Sequence, residues 1–455
     1  MNLNVSNLLE PQRPHAQQIL DSLFLNGVAA DLSETGTGKT YVAAWVAKNL
    51  NVPIVVVCPK VCRRGWEGVL NAFDIKAITV INYEKLMRGN TIYMAYDFNK
   101  INTPAFHQFR FPKNALVILD EVHKCKGWSS KNSDFLIALR QQKIKTLLLS
   151  ATAATNPMEM KSFGFATLLH GLTNFRDFLL QSGVYRTGRF GGYAVDLQDA
   201  RTQGAMRSMH NQLFNVTKIA SRMTRKQFGN IFPDNRVYAE CFDMGSNTDK
   251  IQRVYDMMER ELAELEESSS DYSAHQFAIM TKARRLAELL KVPTMVDWIE
   301  DMHAEGASPV CFVNYVETVE AIRKKLSQNS KVKNQIAMIV GGQSDRVRNA
   351  DIDAFQNNTK RIMLANLAAG NAGISLHDLN GGAPRMSLIS PSFSAINLVQ
   401  ALGRIHRAEG KTPCVQKVMF AADTIEEHAC RRVQCKINNI DNLNDGDLTS
   451  GIQLV

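Results

Sequence analysis

Nine short aliphatic runs decide what this chain can fold into. In the first third stand PIVVVCP, KAITVINY, NALVILDE and KTLLLSAT; further on come SPVCFVNY, QIAMIVGG, KRIMLAN, RMSLISP and QKVMFAA. Each is almost continuously apolar rather than alternating, the pattern of a strand covered on both faces, and such strands belong to parallel α/β sheets. The runs fall into two sets, separated by a stretch from Asn156 to Pro309 that is poor in them and rich in helical spacing. There TDKIQRVYDMMERELAELEE and AHQFAIMTKARRLAELLKVPTMVDWIEDMHAE repeat apolar residues at intervals of three and four, with the polar break SSSDYS between them. The expectation is an α/β fold of two parallel-sheet lobes with helical insertions near the lobe junction. The first lobe is expected over residues 1–235 and includes a helical insertion; the second is expected over 236–455, with a helical insertion at its start and a C-terminal extension.

At 455 residues, 45% of them hydrophobic, the chain has material for two or three cores. Its start carries no basic segment leading into an apolar one, and no apolar run approaches the ~18 residues of a membrane span. Neither export nor a membrane is expected, and the expected compartment is the cytoplasm, that of a host if the gene is a phage's. A formal charge of +9 favours a polyanionic partner without requiring one. Eight cysteines with no C-x-x-C pair point to reduced thiols rather than a disulfide framework. His428, Cys430 and Cys435 in EEHACRRVQC fit no usual four-ligand zinc spacing, and buried helical cysteines are the ordinary reading.

One segment carries phosphate chemistry. In SETGTGKT, Gly36 and Gly38 let backbone N–H groups of a loop formed with Thr35 and Thr37 approach phosphate oxygens at a helix N-terminus. Lys39 is expected to reach the β and γ phosphates of ATP, and the Thr40 hydroxyl to ligate Mg²⁺. Ser33 stands where the general pattern GxxxxGK[ST] has its first glycine. ALVILDEVHKCKG then sets Asp120 and Glu121 at the carboxyl end of a strand, where α/β sheets place ligands. Asp120 is the expected Mg²⁺ partner and Glu121 the expected base or orienter of water.

In this order the segments resemble those of superfamily 2 ATPases, and within them the Swi/Snf-type DNA translocases, especially compact forms from phages and large DNA viruses. SETGTGKT resembles motif I, DEVH motif II, and LLLSATAATNP motif III with Ser150, Ala151 and Thr152. EPQRPHAQQIL is similar to the glutamine motif that reads adenine, through Gln12 or, since Pro11 stands where an aromatic is common, through Gln17. VVVCPKVCRRGW matches motif Ia at Pro59 and Trp66, and INYEKL matches the next strand at Tyr83. IASRMTRKQFGNIFP resembles the basic stretch ahead of the crossing to the second lobe. There, VCFVNYVETVEAI resembles motif IV, and GGQSDRVRNADIDAF carries R-x-x-x-I-x-x-F at Arg348, Ile352 and Phe355. ANLAAGNAGISL stands at motif V, keeping Gly370 and Gly373 but with Asn371 and Ser375 in place of a glycine and an asparagine. QALGRIHR resembles motif VI, with Gln400, Arg404 and Arg407.

The resemblance implies two RecA-like lobes that use ATP and Mg²⁺. It implies catalytic roles for Lys39, Asp120, Glu121, Gln400, Arg404 and Arg407, the two arginines sensing the γ-phosphate. Coupling would run through Ser150, Ala151, Thr152, Gly370 and Gly373. A nucleic-acid track would be held by its phosphates, with Lys60, Arg63, Arg64, Lys124, Lys126, Arg346 and Arg348 as candidates, although most such side chains are simply solvated. For Trp66, core packing is the expected use ahead of base stacking. The implied function is ATP-driven movement on DNA, duplex or branched. A strand-separating helicase or fork remodeller is the alternative within enzymes, an ATP-switched nucleic-acid-binding scaffold the alternative outside them, and RNA stays open as a track.

Overall fold

The aliphatic runs become strands because burying both faces of a strand requires helices above and below it, and helices linking successive strands make the strands parallel. The computed structural model describes residues 8–427 apart from 90, 102, 104–105, 128, 152, 155, 187–192, 197–198, 266–271, 368–373, 392–394 and 425. These fall into two compact units, 8–229 and 230–427.

The first unit holds β1 (Val28–Asp31), β2 (Ile54–Cys58), β3 (Thr79–Asn82), β6 (Leu116–Asp120), β7 (Lys145–Leu149) and β10 (Ala220–Ser221), with two small antiparallel hairpins, β4 (Met94–Tyr96) with β5 (His107–Phe109) and β8 (Tyr185–Arg186) with β9 (Tyr193–Ala194). The six-stranded sheet has the order β10-β1-β7-β6-β2-β3, every pair parallel. Helices Gln12–Asn26, Arg63–Ala72 and Lys131–Gln141 pack on it, and β2 is buried throughout. Register matters most here. Asp31 pairs with both Ser221 and Leu149, and Leu149 pairs with Asp120, so the carboxyl ends of four adjacent strands stand in one row.

The second unit repeats the principle with β11 (Asn235–Phe242), β12 (Ser308–Val313), β13 (Ile336–Ile339), β14 (Ile362–Asn366), β15 (Arg385–Ile389) and β16 (Cys414–Ala421), in the order β11-β16-β15-β12-β14-β13, again all parallel. The expected fold class therefore holds. Helices Thr248–Ala263, Tyr272–Leu290 and Val292–Ala304 occupy the region between the two sets of runs. Their Ile251, Tyr255, Ala287, Met295 and Ile299 join one core with Val313, Leu364 and Leu388, so they are part of this unit's body rather than an appendage. The long periodic stretch around KVPTMV is two helices, since a proline in the first turn of the second has no N–H to continue the first.

Between Asn156 and Pro309 the structure also places β8, β9, β10 and β11, which the search for aliphatic runs does not find. The first three are two residues long, and β11 is a half-exposed edge strand. Among the described residues, six cysteines are free thiols and no three metal-ligating side chains cluster; His428, Cys430 and Cys435 lie outside them. No described helix is long and apolar enough to cross a membrane.

One buried carboxylate organises the second unit's carboxyl edge. Glu288 accepts from the backbone N–H groups of Asn314 (2.9 Å) and Tyr315 (3.2 Å), the Asn314 amide (2.6 Å), and the hydroxyls of Thr318 (2.8 Å) and Ser390 (2.6 Å). It thereby satisfies donors at the start of helix Val316–Leu326 and fixes the segments after β12 and β15. Each hydrogen bond to a charged acceptor is worth ~1.5–3 kcal/mol and several are lost together, so Glu288→Ala should destabilise the second unit by about 3 kcal/mol or more in urea unfolding, with Glu288→Gln recovering part. A loss under about 1 kcal/mol would contradict this role.

Candidate nucleotide-binding site

The loop that follows β1 turns into helix Lys39–Leu50 through Gly36 and Gly38, both at φ 87, a backbone region that favours glycine. At Gly38 the space is also closed: a Cβ would sit 2.5 Å from Nε2 of Gln12. Gln12 is buried, donates from Nε2 to the Thr37 carbonyl (2.8 Å) and accepts from the Leu9 N–H (2.9 Å). Of the two glutamines considered, Gln12 is thus at the loop, whereas Gln17 is exposed and donates to Asp21 (2.8 Å). Lys39 reaches back to donate to the carbonyls of Ser33 (2.7 Å) and Glu34 (3.0 Å), and the Thr37 hydroxyl also donates to Glu34 (2.8 Å). Thr35 is buried, and Thr40 lies half-buried in the helix's first turn.

Ser33 has its own reason to replace glycine. Its φ is not positive, and its buried hydroxyl accepts from the Met223 N–H (2.9 Å) and stands 3.3 Å from the His15 ring. Beneath it Asp31, fully buried, accepts from the Ser33 N–H (3.0 Å) and pairs with His15 Nε2 (3.1 Å), whose Nδ1 meets the Ser221 hydroxyl (2.7 Å). Burial alone would raise the Asp31 carboxyl, but His15, with Lys39 and Ser33, outweighs it and holds the group below its ordinary 3.8.

Across the strand-end row, Asp120 closes β6. Trp66, only 1% exposed, donates its indole N–H to Asp120 Oδ2 (2.8 Å), and the Tyr83 hydroxyl donates to the Asp120 carbonyl (2.9 Å). Burial, then the neighbouring Glu121, push the Asp120 carboxyl up to about 6, against the pull of Trp66 and Lys39. The hard oxygens of Asp120 and Thr40 are donors that suit Mg²⁺. Glu121 sits in the left-handed region at φ 56, a conformation costing a non-glycine residue ~1–3 kcal/mol and concentrated at functional sites. Its carboxylate pairs with His123 Nδ1 (3.2 Å), which is also 3.4 Å from the Ser150 hydroxyl. Ser150 is buried beside Ala151 and donates its N–H to the Asp31 carbonyl (3.1 Å). Loop, acid pair and the segment after β7 are therefore joined by direct bonds; Thr152 lies outside the described residues.

In the second unit, helix Ala395–Ile405 carries Gln400 and Arg404, both buried, and Arg407 follows. Arg404 (3.1 Å) and Arg407 (3.0 Å) donate to the same carbonyl, that of Ile374, and the Leu376 N–H donates to the Arg404 carbonyl (2.9 Å). Burial, with Arg407 and Arg385 nearby, drives the His377 ring down to about 4, so it stays neutral near pH 7. Gly370 and Gly373 lie outside the described residues, and Ser375 offers its carbonyl to the Gln356 amide.

Among the basic candidates for a track, Lys60, Arg64 and Arg346 are exposed. Arg63 donates to the Val80 carbonyl (3.1 Å) and pairs with Glu67 (3.5 Å); Lys124 pairs with Glu84 (3.6 Å), Lys126 with Glu159 (2.7 Å), and Arg348 with Asp345 on its own helix (4.0 Å). Residues that motif reading passes over include His15, Asp31 and His123. Of these only Asp31, at the end of the short apolar run VAAD, leaves a local signal, a charged residue closing a strand that is buried throughout.

Comparison with known proteins adds the relatives. The chain is 32% identical over 472 aligned residues to "Putative ATP-dependent RNA helicase L364" of Acanthamoeba polyphaga mimivirus, with 98% of this chain and 85% of that protein covered. The helicase conserved C-terminal domain family matches residues 282–409. Among solved structures, a Sulfolobus solfataricus SWI2/SNF2 ATPase core in complex with dsDNA is similar at 17% identity and a TM-score of 0.36, over 97% of this chain and 94% of that one.

The Asp31 pair gives a pH signature. A carboxyl held below its unfolded value adds stability that is complete above about pH 4 and is lost as pH falls through the lower folded value. Asp31→Asn should flatten the acid limb of the stability curve below about pH 4; an unchanged limb would argue against the pair.

Proposed function

The chain belongs to the superfamily 2 helicase-like ATPases, and from that premise, which makes it an ATP-hydrolysing enzyme, we propose a nucleic-acid-stimulated motor that moves along double-stranded DNA without fully separating its strands. The observation that supports this best is the row of strand ends, where the glycine loop, the acid pair and Ser150 follow Asp31, Asp120 and Leu149. A loop with a lysine already folded over it suits a triphosphate, whose oxygens would replace the carbonyls of Ser33 and Glu34 as partners of Lys39. Thr40 and Asp120 would hold Mg²⁺, whose charge when bound offsets that of the phosphates. Glu121, held by His123, would orient or deprotonate the attacking water.

Arg404 and Arg407 would supply positive charge at the γ-phosphate, a contribution worth ~10³–10⁵ in rate in such motors. ATP would favour one state of the motor and ADP release it, and alternating grips on a backbone give steps. The grip would be on phosphates, with Lys60, Arg64 and Arg346 as the exposed candidates, and hence sensitive to salt. Duplex DNA is favoured because QALGRIHR and the helices between the two sets of strands resemble those of duplex translocases. A second reading, strand separation on RNA, draws on the name of the mimivirus relative.

Turnover measured with duplex DNA, single-stranded DNA and RNA, together with triplex displacement, separates the readings. Duplex DNA should stimulate most and a third strand should be displaced without release of a labelled duplex strand. Strongest stimulation by RNA with strand release would replace the DNA reading, and no stimulation by any of them would end the motor reading. Arg407→Ala should keep ATP affinity within about threefold while cutting stimulated turnover by roughly 10³ or more. Trp66→Phe, which removes the donor to Asp120, should raise the half-saturating Mg²⁺ concentration by about tenfold; native Mg²⁺ dependence would show the indole to be packing alone.

A further inference from the structure

The stretch SRMTRKQFGNIFP, residues 221–233, joins the two units, and each of its ends is bonded to an element read above as part of the ATP machinery. At the near end it extends the sheet alongside the phosphate loop. The N–H groups of Ala30, Leu32 and Glu34 donate in turn to the carbonyls of Ile219 (2.8 Å), Ser221 (2.9 Å) and Met223 (3.0 Å), a ladder that runs past the end of β1 into the loop itself. Side chains then lock it. Glu34 accepts from the Arg225 N–H (2.9 Å) and from the Arg222 guanidinium (3.3 Å). The Arg225 guanidinium in turn forks onto Thr35, donating to its hydroxyl (2.7 Å) and to its carbonyl (3.2 Å).

Four residues on, Gly229 breaks the local helical turn at φ 53 and ψ −128, a conformation essentially limited to glycine, with open space where a Cβ would point. The boundary between the units falls immediately after it. At the far end, within the second unit, the Glu409 N–H donates to the Ile231 carbonyl (3.1 Å), the His406 ring bonds the Pro233 carbonyl (2.9 Å) and the Phe232 ring lies 5.3 Å from that of His406. His406 is flanked by Ile405 and Arg407. The connector is thus tied to the loop that carries Lys39 and to the turn that carries Arg407, with a single glycine break between the ties.

We propose that residues 222–233 are a strap that transmits nucleotide occupancy, and that Arg225 is its positioning residue. This rests on the reading of residues 33–40 as the ATP site. Lys39 now holds the carbonyls of Ser33 and Glu34; phosphates that draw the ammonium away release both, and the Glu34 backbone and carboxylate are what the strap grips. A shift there is delivered through Arg225 to Gly229, where the chain bends most easily, and on to the segment that His406 holds. Arg225 acts by geometry as well as charge, because one planar fork serves two oxygens of Thr35.

The test is amide hydrogen exchange over residues 226–234 of the full chain, with and without a non-hydrolysable ATP analogue and Mg²⁺, in the native protein, Arg225→Lys and Glu34→Gln. Analogue binding should change exchange across this segment in the native protein, and both substitutions should at least halve the change, with the analogue affinity of Arg225→Lys within about threefold of native. In Arg225→Lys, nucleic-acid-stimulated kcat should fall about tenfold or more, with KM for ATP within about threefold. Native exchange that ignores bound analogue, or an Arg225→Lys variant with the native response and native kcat, overturns the strap. Equal losses of affinity and kcat with a lowered Tm overturn it too, since a plain packing contact gives that pattern. A native chain that fails to bind the analogue at all removes the ATP-site reading underneath it.

Discussion

Parallel pairing of β1 with β10 on one side and β7 on the other is the constraint from which the candidate site follows. Hydrogen bonding fixes the register, and the register fixes where four chains leave the sheet: after Ser221, Asp31, Leu149 and Asp120. Each exit delivers a different chemical group, namely the basic connector, the glycine loop, Ser150 and the acid pair. Slipping β1 by one residue would turn Asp31 from the His15 side of the sheet to the other and carry Lys39 away from the acids. The chemistry is therefore held by backbone bonds before any side chain contributes. Side chains then tie neighbouring exits together, as His123 does between Glu121 and Ser150, and Arg225 does between the connector and Thr35.

Charge is handled differently in the two units. In the first, burial and then the neighbouring Glu121 drive the Asp120 carboxyl upward, while His15, Lys39 and Ser33 hold Asp31, in the same row, below its ordinary value. In the second, two buried carboxylates are satisfied internally: Glu288 by five donors, and Glu426 by Lys291, the Tyr255 hydroxyl and the Ala421 N–H. Removing one partner of such a set leaves a buried charge uncompensated, which costs far more than the set contributes when whole.

The nine aliphatic runs were legible because strands such as Ile54–Cys58 and Leu116–Asp120 have no face for polar residues, and all nine appear as strands. The strand β1 was harder to see: VAAD is short and made of small residues, and its identity comes from its neighbours. β10 has two residues and exists only as a partner of β1. Motif spacing led to Lys39, Asp120, Glu121, Arg404 and Arg407, since each needs a particular residue type at a particular strand or helix end. It did not reveal what supports them. Trp66 was read as core packing, which its burial agrees with, but its indole N–H also holds the Asp120 carboxylate, a contact 54 residues apart in sequence. The link from Arg222 and Arg225 to Glu34 spans about 190 residues and likewise leaves no local trace.

The attitude of Lys39 has a thermodynamic consequence for whatever anion enters the loop. A lysine side chain loses up to ~2 kcal/mol of rotamer entropy when fixed in one place. Here two carbonyls hold the ammonium, at 2.7 and 3.0 Å. What the ligand must supply is a better pair of acceptors than two neutral carbonyls. Phosphate oxygens do so and a neutral sugar or base does not, so competition from two internal carbonyls turns a general cation into a selective one.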